Sequence, residues 1–147
     1  MIAVVVSLVF VGFEIRQNSA ALRAATAQSM SDASMEFNLA MADPAAWAGV
    51  IRMAELDDLS NARREDRFAV VSLMRWLFQH WSSLHWHYLR GDLDRELWDG
   101  VRRDMKLSIA DEDSLRLVHW AWDQSRPIYH EEFQRLFDQI LVERPAR

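Results

Sequence analysis

Three histidines close together are the residues best suited to chemistry in this chain. His80, His85 and His87 lie within eight residues, and imidazole is the commonest metal ligand in proteins. On a helix, His80 and His87 share a face but stand two turns apart, roughly 10 Å along the axis, while His85 points to the other side. Metal-binding helices instead present ligands three or four residues apart. The spacing therefore predicts no metal site and a hydrogen-bonded His85 at the edge of the core.

Motifs for other chemistry are missing from the sequence. There is no Gly-x-Ser-x-Gly elbow, no Glu-x-x-His pair and no cysteine, and the four glycines are scattered rather than gathered in a phosphate-binding loop. The sequence therefore predicts no cofactor and gives no sign of catalysis.

A pocket between helices is the alternative prediction. Arg75 and His85 project side by side from one predicted helix, and tryptophans lie nearby. Convergent polar groups in an apolar cavity are typical of ligand-binding and active sites. This alternative predicts a small-molecule-binding protein or an enzyme with its site at Arg75 and His85.

The elements that would position these residues are helices. Only 4 Gly and 3 Pro occur in 147 residues, which favours long helices over a turn-rich β fold. Breaks at Asp43-Pro44, at 57–61 with Ser60 as an N-cap, at Gly91 and at Arg126-Pro127 divide the chain. The shorter helices are predicted over 45–56, 62–90, 94–109, from 111–113 onward and over 128–143. The fold prediction is all-α, with a long N-terminal helix over 2–42 and a bundle of four or five shorter helices.

The predicted helix over 62–90 carries the widest apolar surface and should form the centre of the bundle. One of its two adjacent apolar stripes includes Phe68, Phe78 and His85. Among the seven tryptophans, Trp76 and Trp86 are the ones expected to be exposed or at a helix contact.

The N-terminal stretch suggests a membrane segment. Residues 1–13 read MIAVVVSLVFVGF and carry no charge. A helix of this length spans roughly 20 Å, less than the hydrocarbon core of about 30 Å, yet it has no polar face to show to water. We therefore expect an incomplete membrane segment over 1–13 and a helical domain over 14–147. Arg16 and Arg23 follow the segment and predict a cytoplasmic domain.

The boundary after the apolar run is a predicted interaction surface. Glu14, Arg16, Gln17 and Asn18 place a charge pair and two amides where the apolar run ends. The alternative is a polar boundary with no partner. Predicted partners are the membrane, a protein or a second copy of the chain. A soluble dimer that buries the apolar helix is a weaker option. The net charge of −5, with no basic segment, excludes a nucleic-acid partner.

The polar face of the central helix is the second predicted interaction surface. It carries Trp76, His80 and His87. Together with the boundary residues, these side chains are the ones we expect to meet a partner.

Several short motifs resemble those of one protein family. They are SLVFVGFEIRQN, EFN at Glu36–Asn38, the Asp-Pro pair, a Trp/Phe-rich helix ending in Gly, and ELWDG at Glu96–Gly100. This pattern is similar to a family of uncharacterised short bacterial proteins with one N-terminal membrane helix and a helical domain of unknown function. Members usually carry about ten more residues before the apolar run, so Met1 would be a misassigned start or a truncation. The resemblance implies membrane anchoring and no activity.

These observations together predict a membrane-tethered, non-enzymatic interaction or regulatory module. Its predicted location is the bacterial inner membrane with the domain in the cytoplasm, and the alternative is a soluble cytoplasmic protein.

Overall fold

The computed structural model describes residues 44–143 and scattered positions between residues 14 and 39. No strand occurs in this described part of the chain, so the all-α prediction is confirmed. The elements after residue 43 are α1 (Pro44–Ala54), a 3₁₀ turn (Leu59–Asn61), α2 (Arg64–Leu89), α3 (Arg95–Leu107), α4 (Glu112–Ser125), a second 3₁₀ turn (Arg126–Ile128) and α5 (Glu131–Val142).

The N-terminal part of the chain is described only in places. The described positions from Glu14 to Leu39 are all helical and exposed. Residues 1–13, predicted to be a membrane segment, lie outside the described residues. Where the structure does describe the chain, none of its helices has both the length and the apolar character of a membrane span.

Helix α2 is the central element, as the width of its apolar surface predicted. Its 26 residues extend about 39 Å, and it contacts α1, α3 and α4. Two clusters of buried side chains lie along it. The aromatic core includes Phe78, Trp81, Trp122, Phe133 and Phe137. The aliphatic core includes Val50, Met53, Leu59, Ala62, Val70 and Leu117.

Two glycines are required by the backbone geometry, one at a contact between helices and one after a helix end. Gly49 of α1 packs so close to α2 that an added Cβ would lie 3.1 Å from the Cβ of Ala69, which is why a small residue is needed there. Gly91 follows the end of α2 with φ of +77°, the left-handed conformation that glycine adopts at low cost. The prediction that Gly91 ends this helix is confirmed.

Aspartates begin most of the later helices. The Asp94 side chain accepts a hydrogen bond from the Leu97 amide at 2.9 Å, and Asp111 accepts one from the Ser114 amide at 2.8 Å. Ser60 was predicted to be an N-cap, and this prediction is wrong. Asp58 instead caps the 3₁₀ turn, and α2 begins after Arg63 without a side-chain cap.

The last helix begins later than predicted. Pro127 lies in the second 3₁₀ turn, and α5 starts at Glu131 rather than near residue 128. His130 is its N-cap, because its Nδ1 accepts a hydrogen bond from the Phe133 amide at 3.2 Å. The cap places the His130 ring against the end of α2.

Candidate functional site

Four stacked rings form a column beside the C-terminal half of α2. The ring of His85 stacks on His130 and on Trp98, with centroid distances of 5.5 Å and 5.2 Å. Trp98 in turn stacks on Tyr88 at 5.0 Å. We call His130, His85, Trp98 and Tyr88 the histidine column. The His85 imidazole therefore stacks on two other rings.

His85 is buried with an unsatisfied polar atom. Only 7% of its surface is exposed, and its Nδ1 has no hydrogen-bond partner among the described residues. The hydrogen bond that the sequence predicted is therefore not made at this atom. Burial and, to a smaller extent, the nearby His130 together lower the pKa of His85 to about 4, although Glu132 opposes the shift. His85 is consequently neutral at pH 7.

His130 joins the column to α5. Because its Nδ1 accepts from the Phe133 amide, the neutral ring carries its proton on Nε2, which lies 3.5 Å from the carbonyl oxygen of Ser82. The Glu132 carboxylate lies 3.5 Å from Nδ1. His130 therefore caps α5 and contacts α2 with the same ring.

His80 and His87 lie apart from the column. His80 is half-buried and stacks on Trp76 with a centroid distance of 5.5 Å. Burial lowers its pKa, and the charge of Asp104 opposes this shift. The Nδ1 of His87 lies 3.6 Å from a carboxylate oxygen of Asp92. In the described residues, no three His, Asp or Glu side chains are grouped as a metal site would require.

The predicted pair of Arg75 and His85 is not brought together. Arg75 is exposed, whereas His85 is buried. They are 10 positions apart on α2, which corresponds to roughly 15 Å along the helix axis. The carbonyl oxygen of Arg75 accepts a hydrogen bond from the Tyr129 hydroxyl at 3.3 Å. The structure thus gives these two side chains separate surroundings.

A buried aspartate holds the other end of α2. Asp66 is 4% exposed and accepts hydrogen bonds from Nε of Arg52 at 3.1 Å and from Nε of Arg63 at 3.0 Å. These bonds, first from Arg52 and then from Arg63, lower the pKa of Asp66 to about 2. We call these three residues the Asp66 cluster.

An open groove separates the start of α2 from α4. It has a volume of about 620 Å³ and is shallow. Its lining comprises Leu59, Ser60, Arg64, Arg67, Phe68, Val71, Trp120, Asp123 and Gln124. Aromatic and aliphatic side chains lie in it, with arginines on the α2 side and Asp123 on the α4 side. We call it the α2–α4 groove.

Among the groove residues, Phe68 is the one whose predicted burial is wrong. Its position in an apolar stripe predicted a core residue, yet 74% of its surface is exposed. No element covers that edge of α2 in the described part of the chain. Its arginine neighbours Arg64 and Arg67 were the available signal, because arginine and aromatic residues together are typical of interfaces.

The predicted N-terminal surface is exposed where it is described. Glu14, Arg16, Gln17 and Asn18 are helical and open to solvent. Glu14, Gln17 and Asn18 line a shallow depression together with Ala21. Their role in binding a partner stays a prediction.

Two tryptophans have the exposure that the sequence predicted. Trp76 is 38% exposed and Trp86 is 48% exposed. Trp86 also meets the ring of His130 edge-on at a centroid distance of 5.7 Å.

Comparison with known proteins identified no relative of this chain. No family model, curated protein or solved structure matches the chain.

Proposed function

We propose that this chain is a non-enzymatic interaction module held at a membrane by residues 1–13. The observation that carries the proposal is the filled interior of the bundle. Phe78, Trp122 and Phe137 contact one another with centroid distances between 4.8 and 5.2 Å. Interlocked rings of this kind leave a bundle core without room for a substrate.

The polar groups near this core support the same proposal. The indole nitrogen of Trp81 donates to Asp104 at 3.1 Å, and that of Trp122 donates to Asp138 at 2.8 Å. Arg126 also binds Asp138. These carboxylates are engaged in holding helices together, whereas catalytic carboxylates must be available to a substrate.

The membrane tether rests on the sequence. Thirteen uncharged, mostly apolar residues precede Glu14, and a helix that is apolar on all sides needs lipid or protein around it. The resemblance to a bacterial family with one membrane helix supports the same anchor. On that basis we propose the bacterial inner membrane, with the domain on the cytoplasmic side.

Fractionation of the full-length chain tests this function. The chain should sediment with membranes and need detergent for release, whereas a variant without residues 1–13 should stay in the supernatant. Removal of residues 144–147 is the matched control and should change nothing. Recovery of the full-length chain in the detergent-free supernatant would contradict the tether.

A ligand site near His85 is the second candidate function. It is favoured by the buried Nδ1 without a hydrogen-bond partner, since a functional role is one of the explanations for such an atom in a native structure. Its stacking on His130 and Trp98 restricts how a molecule could approach the ring. A small molecule bound there would shift the histidine signals of an NMR spectrum, and His85→Phe would abolish that shift.

A further inference from the structure

The α2–α4 groove holds the most exposed aromatic side chain of the described residues. Phe68 is 74% exposed, beside half-buried Val71 and Trp120 and buried Leu59. Covering apolar surface stabilises a complex by about 25 cal/mol per Å². The described helices leave the Phe68 side chain exposed. A partner that packed against it would remove this apolar surface from water.

The two sides of the groove carry opposite charge. Arg64 and Arg67 are exposed on the α2 side, and neither has a carboxylate within 4.0 Å among the described residues. Their neighbour Arg63 is already bound to Asp66. Asp123 lies on the α4 side, and its carboxylate is 3.3 Å from His119. A partner that fits both sides must carry acidic groups on one flank and basic or amide groups on the other.

We propose that the α2–α4 groove binds an amphipathic helical segment of another protein. Apolar side chains of the segment pack on Phe68 and Trp120, its acidic flank faces Arg64 and Arg67, and its opposite flank faces Asp123. This is the helix-in-groove mode of recognition. The inference rests on the proposed function as an interaction module and names the chemistry of its partner.

The shape and charge of the groove favour a protein segment over a lipid surface. The groove is concave, because it lies between the Leu59–Asn61 turn, α2 and α4. Anionic lipid head groups would be repelled by Asp123 on the α4 side. A helical segment meets both requirements.

The test uses the full-length chain in neutral detergent and a phage-displayed library of helical peptides. Every peptide has large apolar residues at i, i+3, i+4 and i+7, and its flanking positions vary among acidic, basic and neutral residues. We expect selection of peptides with an acidic flank. Phe68→Ala should lower the affinity for the selected peptides about tenfold. The double variant Arg64→Glu/Arg67→Glu should lower this affinity at least as much.

Matched variants control for unspecific effects. Leu107→Ala removes another exposed apolar side chain, and Arg103→Glu reverses another exposed charge. Neither residue lines the groove, so neither variant should change peptide binding. The groove variants are at exposed positions, and thermal unfolding followed by circular dichroism checks that they fold.

Three outcomes would overturn the proposal. They are selection of peptides without acidic residues, binding that survives both groove variants, and saturable binding of dihexanoyl phosphatidylglycerol that Arg64→Glu/Arg67→Glu abolishes. The last would assign the groove to lipid. Because detergent keeps the full chain in solution, this binding experiment is independent of the tether, and the fractionation result is independent of the groove.

Discussion

The two ends of α2 each bury an ionisable group, and they do so in opposite ways. At the N-terminal end, Asp66 is charged and satisfied by two arginines, which lower its pKa to about 2. At the C-terminal end, His85 stacks on two rings and has no partner for Nδ1, and its pKa is lowered to about 4, chiefly by burial. One group keeps its charge through hydrogen bonds, whereas the other remains neutral because its charged form is poorly solvated.

This difference follows from the packing around each group. The Asp66 cluster adjoins the aliphatic core, where α1 is close enough for Arg52 to reach across. The histidine column adjoins the aromatic core, where rings fill the volume and few hydrogen-bond partners remain. A buried charge needs partners at fixed positions, and a buried neutral ring needs only close packing.

Truncation of the aromatic core should give the largest effect. Phe137→Ala removes a fully buried ring that contacts Trp122 and Phe133, and we expect a loss of about 3–5 kcal/mol in unfolding free energy. Urea denaturation measures this loss. Val142→Ala, at a position 81% exposed in the same helix, is the control with little expected effect. A loss below 1 kcal/mol for Phe137→Ala would mean that the core is not closely packed.

Acidification should give the second largest loss of unfolding free energy, through His85 near the C-terminal end of α2. The pKa of His85 is about 4 when folded and 6.5 ordinarily, so the unfolded chain takes up the proton at higher pH. The stability that neutral His85 contributes is complete above pH 6.5 and is lost as the pH falls towards 4. We expect a loss of about 2 kcal/mol, reduced from the full shift by solvent screening.

Denaturation curves between pH 7 and pH 4 measure this loss. His85→Phe should flatten part of the pH dependence, while the lowered pKa of His80 leaves a remainder of the same sign. Leu107→Ala, at an exposed position without a titratable group, is the control and should leave the pH dependence unchanged. An unaltered pH dependence in His85→Phe would contradict the effect of burial.

The Asp66 cluster should respond in a different pH window. Asp66→Asn should lower Tm by roughly 5 °C at pH 7, because two arginines lose their charged acceptor. The folded pKa of about 2 lies below the ordinary 3.8, so the contribution is complete above pH 3.8 and is lost as the pH falls towards 2. Calorimetry checks this, with Asp113→Asn, in an exposed pair with Arg116, as the control. A Tm difference between Asp66→Asn and the parent that persists below pH 2 would show that the charge of Asp66 is not the source of the stability.

The turn after α2 should give the smallest effect. Gly91→Ala places a side chain at φ of +77° with no atom nearby to clash, so its cost is conformational alone, about 1 kcal/mol. Gly100→Ala, inside α3 with only the Arg103 side chain near, should instead be neutral or stabilising. Thermal unfolding of both variants measures the difference, and equal effects would argue against the left-handed turn.

The sequence predicted those features that depend on local residues. Pro44, Gly91, Asp94 and Asp111 lie at the expected helix boundaries because each acts on the backbone beside it. The start of α5 was missed because His130, an uncommon N-cap, takes that role.

Features that depend on distant contacts could not be predicted in this way. The burial of Asp66 requires Arg52, which lies 14 positions earlier on another helix. The exposure of Phe68 was missed because a wide apolar surface does not reveal which of its edges is covered. The stacking in the histidine column likewise joins three helices, and nothing in the spacing of the histidines indicates it.

NMR titration of the His85 ring tests the central claim, that the bundle interior is closed and its polar groups serve the fold. With assigned histidine signals in the full-length chain, we predict that His85 stays neutral at pH 6 and titrates with a midpoint near 4. A midpoint at or above 6.5 would show an imidazole open to water, and would favour a ligand pocket at His85 over an interaction module with a filled core.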